Sequence, residues 1–377
     1  MASRLRVLEL GKYYHPYRGG METHLKMLCD GLNAQIDLTV LVSGERPRTS
    51  RDLVDGVRVI RAGRLGRFSA APICPSLPWL VRQIPADIIH IHVPHPTAIM
   101  TWLAAGRGTP LVVTYHSDTV RQRVLGKLFE PFLDRALSQA AAIICTSPQY
   151  LDSSKSLPRH RERCSVIPLA IKTDDLVSPD PAAVADLRER YGLRLLLTIG
   201  RLVYYKGFEH LIRAMPNITG HLLIIGQGPL LNSLEALARH HGVADRVTFL
   251  GSVTDIASYY HAADVFVLPS TARSEAFGIV QLEAMACGKP VVNTQLNSGV
   301  PFVSLGGITG LTVPPADSDA LAEAISLLLD RPDIRKKFGD AARQRVHNHY
   351  NADKMVDATL QVFEQVSRPE NNVKTVF

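Results

Sequence analysis

The sequence predicts an α/β protein of two Rossmann-like domains, and three observations carry that prediction. The chain has 377 residues, more than one ordinary hydrophobic core accommodates. Short apolar runs of strand length alternate with helix-length segments along the whole chain, the pattern of a largely parallel sheet with helices on both faces. A stretch containing Pro, Asp and Ser, Leu169 to Pro181, divides the alternation into two series.

Composition narrows the class. No apolar run approaches the roughly 18 to 20 residues of a membrane span, and Met1 to Leu10 carries no long apolar region before Gly11, so neither spanning nor secretion is expected. Five cysteines, Cys29, Cys74, Cys145, Cys164 and Cys287, are scattered without CxxC spacing, which argues against a disulfide framework or zinc site and fits a reducing cytosol. Residues 1–175 hold 23 of the 42 Lys and Arg but 15 of the 35 Asp and Glu. The basic excess therefore lies in the first half, either as a plain solvated surface or as a face for anionic lipid, nucleic acid or a phosphorylated acceptor.

In the first series, strands are expected over 38–42, 57–61, 88–93, 110–115, 142–145 and 164–167 after an opening strand at Leu5 to Leu10. Gly19-Gly20 follows that first strand and leads into an amphipathic helix from about Thr23, an arrangement that suits anion binding though it lacks the dinucleotide GxGxxG. Ligands of such sheets sit beyond the strands' carboxyl ends, where His116 falls. His90, His92 and His95 form a tight cluster, but no carboxylate or Cys is expected to accompany them and Pro94 and Pro96 indicate an ordinary strand exit, so a metal is not predicted. Ala71 to Pro85 reads as an apolar loop interrupted by proline, where a lipid-linked acceptor would approach. Asp118 to Ala140 reads as an amphipathic helix with Val120, Val124, Leu125, Leu128, Phe129, Phe132, Leu133 and Leu137 on its apolar side and Arg121, Arg123, Lys127 and Arg135 among its polar positions. Packing on its own sheet is preferred over lying on a membrane.

The second series predicts strands at 195–200, 221–225, 247–250 and 264–270, with helices at 208–215, 230–241 and 256–262 between them. Arg201 and Lys206 lie five residues apart in the loop after the first of these strands and would clamp a diphosphate. Gly226-Gln227-Gly228-Pro229 ends the second strand and would let backbone approach a ligand. Glu275 precedes a helix over Gly278 to Cys287, and Glu283 is expected to point outward from its second turn. A helix start between two carboxylates suits a phosphate flanked by hydroxyls, as in a nucleotide-sugar. Asp317-Ser318-Asp319 is read as a helix cap and not as a metal motif.

Together, Gly19-Gly20-Met21-Glu22, His116, Gly200-Arg201-Leu202 with Lys206-Gly207, Gly226-Gln227-Gly228-Pro229, Glu275-Ala276-Phe277-Gly278-Ile279-Val280 with Glu283, Gly288-Lys289-Pro290-Val291-Val292 and Gly310 to Pro315 resemble retaining glycosyltransferase family 4 over nearly the whole chain. Bacterial mannosyl- and rhamnosyltransferases of surface-polysaccharide (O-antigen) assembly are the most similar subgroup. The resemblance implies the GT-B fold, two Rossmann-like domains facing across a cleft: an acceptor-binding domain over 1–172 and a nucleotide-sugar-binding domain over 173–358. A final helix around 353–366 would cross back, with the segment from about 359 to 377 packing on the first domain.

Roles follow residue by residue from the resemblance. Arg201 and Lys206 hold the diphosphate, Glu283 the ribose, and Glu275 with the backbone of Phe277, Gly278 and Ile279 the donor sugar's hydroxyls. Gly19 and Gly20 approach the phosphates, His116 lines the reaction centre, and Val253 borders the base. The family's Gly-Gly-x-Pro segment is here Asn297-Ser298-Gly299-Val300-Pro301, which departs from the pattern. The implied substrates are GDP-mannose and a lipid-linked oligosaccharide, with no further cofactor, no metal and no nucleic acid. The implied place is the cytoplasm, with peripheral contact to the inner face of the plasma membrane. A UDP-sugar donor, a sugar-nucleotide epimerase or hydrolase, and a non-catalytic nucleotide-sugar-binding regulator remain open alternatives. Retention with Glu275 and Glu283 as hydroxyl binders implies front-face displacement, the leaving phosphate taking the acceptor's proton. A carboxylate pair about 5 Å apart across the bond would instead mark a retaining glycosidase.

Overall fold

The computed structural model describes residues 4–17, 19–68, 71–106, 108–118 and 123–368, with the backbone alone for 68 and 123–127. The chain forms two compact units, the first running to Leu169 and resuming at Ala352, the second spanning Ala170–Asn351. The division falls three residues before the expected seam at 172/173.

The first unit holds strands β1 (Arg6–Leu10), β2 (Asp37–Ser43), β3 (Ser50–Val54), β4 (Val57–Ala62), β5 (Gly66–Phe68), β6 (Ala71–Ile73), β7 (Ile88–Val93), β8 (Leu111–Tyr115), β9 (Ala142–Cys145) and β10 (Cys164–Val166). Eight of them form one sheet in the order β10-β9-β8-β7-β1-β2-β4-β3, and every pairing is parallel except β3 with β4. The chain grows outward from β1 first through β2 and later through β7. The topological switch point, where ligands bind in such sheets, is therefore at the carboxyl ends of β1 and β7. The apolar runs of β7 and β8 are wholly buried, as expected of strands covered on both faces.

Two details differ from the sequence reading. β3 was not expected; it pairs back onto β4 through Asp55-Gly56, both at positive φ, the conformation of a two-residue hairpin turn. The segment 71–85 is not a loop, since β5 and β6 form a ribbon and Leu77–Gln83 is a helix with Pro78 in its first turn, where proline's missing N–H costs nothing.

The last helix, Ala352–Ser367, begins earlier than 359 and lies against the helix Gly20–Leu32. Any Cβ at Gly31 would stand 2.5 Å from Val356 Cγ2, and Phe363 is fully buried with its ring 5.2 Å from that of His90. Residues 369–377 and Arg121 lie outside the described residues, as do the side chains of Arg123 and Lys127. In the helix Arg123–Gln139, Leu128 is 67% and Phe132 42% exposed, so those two do not pack on the sheet as expected, whereas Ala136 and Leu137 are buried.

The second unit holds β11 (Leu195–Ile199), β12 (His221–Ile225), β13 (Val247–Gly251), β14 (Val265–Leu268), β15 (Val291–Thr294) and β16 (Gly310–Val313) in one parallel sheet ordered β13-β12-β11-β14-β15-β16. Its core is aliphatic, with Leu196, Leu222, Ile224, Val265, Val267 and Val292 packed against helix residues such as Leu211, Ile212, Leu321 and Ile325. Here the switch point lies at the carboxyl ends of β11 and β14.

Candidate active site

Both loops at the second switch point carry predicted residues. After β11 the chain runs through Gly200 and Arg201 into a single tight turn, Tyr204–Lys206, and then Gly207 at φ 68°. A Cβ at Gly207 would lie 2.0 Å from the carbonyl oxygen of Pro269, so a glycine lets this loop close on the one after β14. Thr271 N–H donates to Tyr205 O at 2.8 Å. The result is a buried ion pair: Lys206 Nζ lies 2.5 Å from Glu275 Oε2, with Lys206 9% and Glu275 8% exposed. Ser270 Oγ donates to the same carboxylate oxygen at 3.1 Å. Lys206 thus joins Glu275, while Arg201 is exposed at the start of its loop. The Lys206 ammonium, with three donors, keeps capacity beyond this carboxylate.

Gly278, at φ 75°, opens the helix Ile279–Ala286, whose first turn presents N–H groups without intrahelical acceptors. Phe277 is buried with its ring 6.1 Å from that of Tyr350, so its side chain is core and its backbone alone is available. Behind this start lies a buried polar network that sequence reasoning missed. Gln281 Nε2 donates to Phe277 O at 3.2 Å, Asn293 Nδ2 donates to Gln281 Oε1 at 2.9 Å, and Thr312 Oγ1 donates to Asn293 Oδ1 at 2.7 Å. A glutamine in a largely apolar helix and an asparagine inside an all-buried strand were the available signal. Gly299 N–H donates to Ala276 O at 2.7 Å, which ties the divergent 297–301 segment to the Glu275 loop.

Glu283 does not point outward. It is half-buried and accepts a 2.6 Å hydrogen bond from Tyr260 Oη. Burial pushes its carboxyl up, against the Tyr260 hydrogen bond, which lowers it. The glycines of Gly226-Gln227-Gly228 also serve a different end from the one expected. Cβ atoms there would stand 1.9 Å from Gly200 O and 2.4 Å from Leu202 O, so the close approach is of one protein loop to another. Val253 is half-buried just beyond β13.

In the first unit, Gly19 caps the helix Gly20–Leu32 and both glycines are exposed beyond β1. His116 follows β8, its N–H donating to Val93 O at 3.0 Å. It belongs to a buried cluster. His92 Nδ1 lies 2.9 Å from His116 Nε2, His92 Nε2 lies 3.1 Å from Glu9 Oε2, His90 Nδ1 lies 2.9 Å from Glu9 Oε1, and His90 Nε2 lies 2.7 Å from Thr114 Oγ1. The His24 ring meets that of His116 edge-on at 5.0 Å. The expectation that no carboxylate accompanies the histidines is thus overturned, because β1 pairs with β7 and sets Glu9 opposite His90. His95 does not share these hydrogen bonds.

Burial alone would raise the Glu9 carboxyl, but His90 and His92 outweigh it and hold it down to about 2. Burial pushes His24 down to about 3, lowers His92, and holds His116 well below its ordinary value, with neighbouring histidines adding to each shift. Nitrogens of His24, His92 and His116 lie within 4.8 Å of one another, close enough to hold a metal ion, yet two of them are already joined by the 2.9 Å hydrogen bond.

Comparison with known proteins accounts for this geometry. Residues 18–175 match the model described as Glycosyltransferase Family 4, and residues 182–345 match Glycosyl transferases group 1. The O-antigen chain mannosyltransferase C of Escherichia coli is 32% identical over 95% of this chain and 98% of its own. The D-rhamnosyltransferase WbpZ of Pseudomonas aeruginosa is 32% identical over 92% of this chain and 93% of its own. Among solved structures, a sucrose-phosphate synthase from Thermosynechococcus elongatus superposes with a TM-score of 0.82 at 26% identity, covering 96% of this chain and 99% of that one. Anabaena Alr3699/HepE in complex with UDP shares the fold at a TM-score of 0.78 and 20% identity, covering 96% and 100%. Likeness at this identity along nearly the full length makes the chain a member of glycosyltransferase family 4, an enzyme with the two Rossmann-like domains of the GT-B fold.

Proposed function

We propose that the protein transfers mannose from GDP-mannose, with retention of anomeric configuration and without a metal, to a lipid-linked saccharide in O-antigen-type polysaccharide assembly. The observation that carries this reading is the buried Lys206–Glu275 pair beside a helix start at the switch point of the second sheet. The ammonium and the helix dipole would stabilise charge growing on the departing diphosphate. Arg201 would reach the same phosphates from solvent, and Gly19 and Gly20 would admit them closely. Glu275 and the backbone of Phe277, Gly278 and Ile279 would hold the sugar hydroxyls, Glu283 the ribose, and Val253 the base. His116 would line the sugar. Neither Glu acts as base; the leaving phosphate takes the acceptor's proton.

Mannose as the transferred sugar is supported by the 32% identical mannosyltransferase of O-antigen chains, and a related hexosyl transfer by the 32% identical D-rhamnosyltransferase. No helix among the described residues is long and apolar enough to cross a membrane. In this reading a peripheral position on the inner membrane face brings the enzyme to its acceptor.

Incubation with GDP-mannose, UDP-glucose and UDP-N-acetylglucosamine, each with and without a lipid-linked acceptor and with and without EDTA, tests the proposal. Acceptor-dependent release of GDP with an α-linked product, unchanged by EDTA, is the expected result. Release without acceptor, formation of a free epimer, or binding without turnover would each reject it.

A further inference from the structure

The cluster beneath the first sheet's carboxyl edge has a direction that its hydrogen bonds dictate. Glu9 is fully buried, and an ionised carboxylate has no proton to give, so both His90 Nδ1 and His92 Nε2 must donate to it. A neutral imidazole carries one N–H, so donation from Nε2 leaves His92 Nδ1 bare. Burial lowers His92 and keeps it neutral at pH 7. The bare Nδ1 faces His116 Nε2 at 2.9 Å, and His116 is itself neutral, its pKa lowered by burial. The proton between them therefore belongs to His116 Nε2, and His116 Nδ1 is left bare in turn.

We propose that Glu9 and His92 are positioning residues that fix His116 as the Nε2–H tautomer, so that its Nδ1 accepts a hydrogen bond from a hydroxyl of the bound sugar. This rests on the reading that His116 lines the donor sugar. The tautomer selects a hydroxyl that can donate at that point and disfavours a deoxy or O-alkylated sugar there, since a bare buried acceptor would go unpaired. Glu9 sits mid-sheet on β1, held by strand pairing on both sides, and so sets the ring from a rigid base, as outer-shell carboxylates orient histidines elsewhere.

The test is a long-range proton–nitrogen correlation spectrum of the full ¹⁵N-labelled chain without ligand, in wild type and Glu9→Gln. The expected wild-type spectrum has His92 and His116 both protonated at Nε2. In Glu9→Gln the side-chain amide can donate, His92 turns to the Nδ1–H form, and His116 follows. kcat then falls about 10- to 100-fold with donor KM little changed, and Glu9→Asp recovers part of the loss. Should Glu9→Gln fail to fold, His92→Asn, whose carbonyl replaces the Nδ1 acceptor, keeps the His116 tautomer, whereas His92→Leu releases it. An Nδ1–H His116 in wild type, or a tautomer indifferent to these changes, overturns the proposal. So does stoichiometric zinc in the purified protein that His24→Ala removes, since the nitrogens would then serve a metal. The spectrum is read without substrate, so a failed donor assay rejects the function and leaves the tautomer standing.

Discussion

Lys206 Nζ lies 2.5 Å from Glu275 Oε2, and less than a tenth of either residue's surface remains exposed. Removing one member of a buried pair strands the other as an uncompensated charge, at a cost of about 3 kcal/mol or more. Lys206→Ala is expected to lose about 10²- to 10³-fold in kcat, as deletion of one preorganised charge-stabilising donor does, and to lower stability together. A double-mutant cycle with Glu275→Gln, scored on both turnover and unfolding, should show coupling above about 0.5 kcal/mol. Near-wild-type turnover in Lys206→Ala would remove the residue from the site.

Tyr260 and Glu283 supply a separable test. The 2.6 Å hydrogen bond from Tyr260 Oη lowers a carboxyl that burial raises, so Tyr260→Phe moves Glu283 further up. The buried acceptor left behind costs about 1–3 kcal/mol. Because Glu283 is assigned to the ribose, nucleotide affinity should fall while kcat at saturating donor holds. Calorimetric titration with GDP and thermal unfolding measure the two effects, and unchanged affinity would free Glu283 from that role.

Gly226 adopts φ 146°, and a Cβ there would sit 1.9 Å from Gly200 O. Gly226→Ala must therefore push the β11 loop away from its place, moving Lys206 with it. The expected loss is about 2 kcal/mol or more of stability, from backbone strain of the kind that costs about 1–3 kcal/mol, with donor turnover reduced. Gly66→Ala, where nothing lies within 4 Å of the added Cβ, is the control and should change stability by less than about 0.5 kcal/mol. Equal effects of the two substitutions in urea unfolding would refute the loop-to-loop role.

What was legible in the sequence had local causes. Apolar runs announced β7, β8, β11 and β12 within a residue of their ends, since strands buried on both faces read as short continuous apolar runs whose length marks them. Gly278 and Glu275 were placed by the grammar of a strand-to-helix turn. What was not legible depends on register. Glu9 and His90 are 81 residues apart and meet because β1 pairs with β7. Likewise Tyr260 finds Glu283 only once two helices are packed together, and Gly226 meets Gly200 only once two loops are brought together. The Asp55-Gly56 turn was the exception, a local hairpin signal that the reading passed over.

The buried histidines make the first unit sensitive to acid. Folding pushes His24 and His95 down to about 3 and lowers His92 and His116, burial being the main cause in each. An unfolded histidine titrates near about 6.5. Above that pH both states are neutral and the stability is fully present; below it the unfolded chain binds protons that the folded core refuses. Each such group then removes about 1.4 kcal/mol per pH unit until its folded pKa is reached. Glu9, held to about 2 in the folded state, adds a loss in the same direction below about pH 4.5. The urea midpoint should accordingly drop steeply from pH 7.5 to pH 5. His95→Leu, which removes one titrating ring without touching the hydrogen bonds of Glu9, His92 and His116, should make that drop shallower by about one proton's worth. A midpoint that stays level over this range would mean that the rings charge in place and are not held in a dry core.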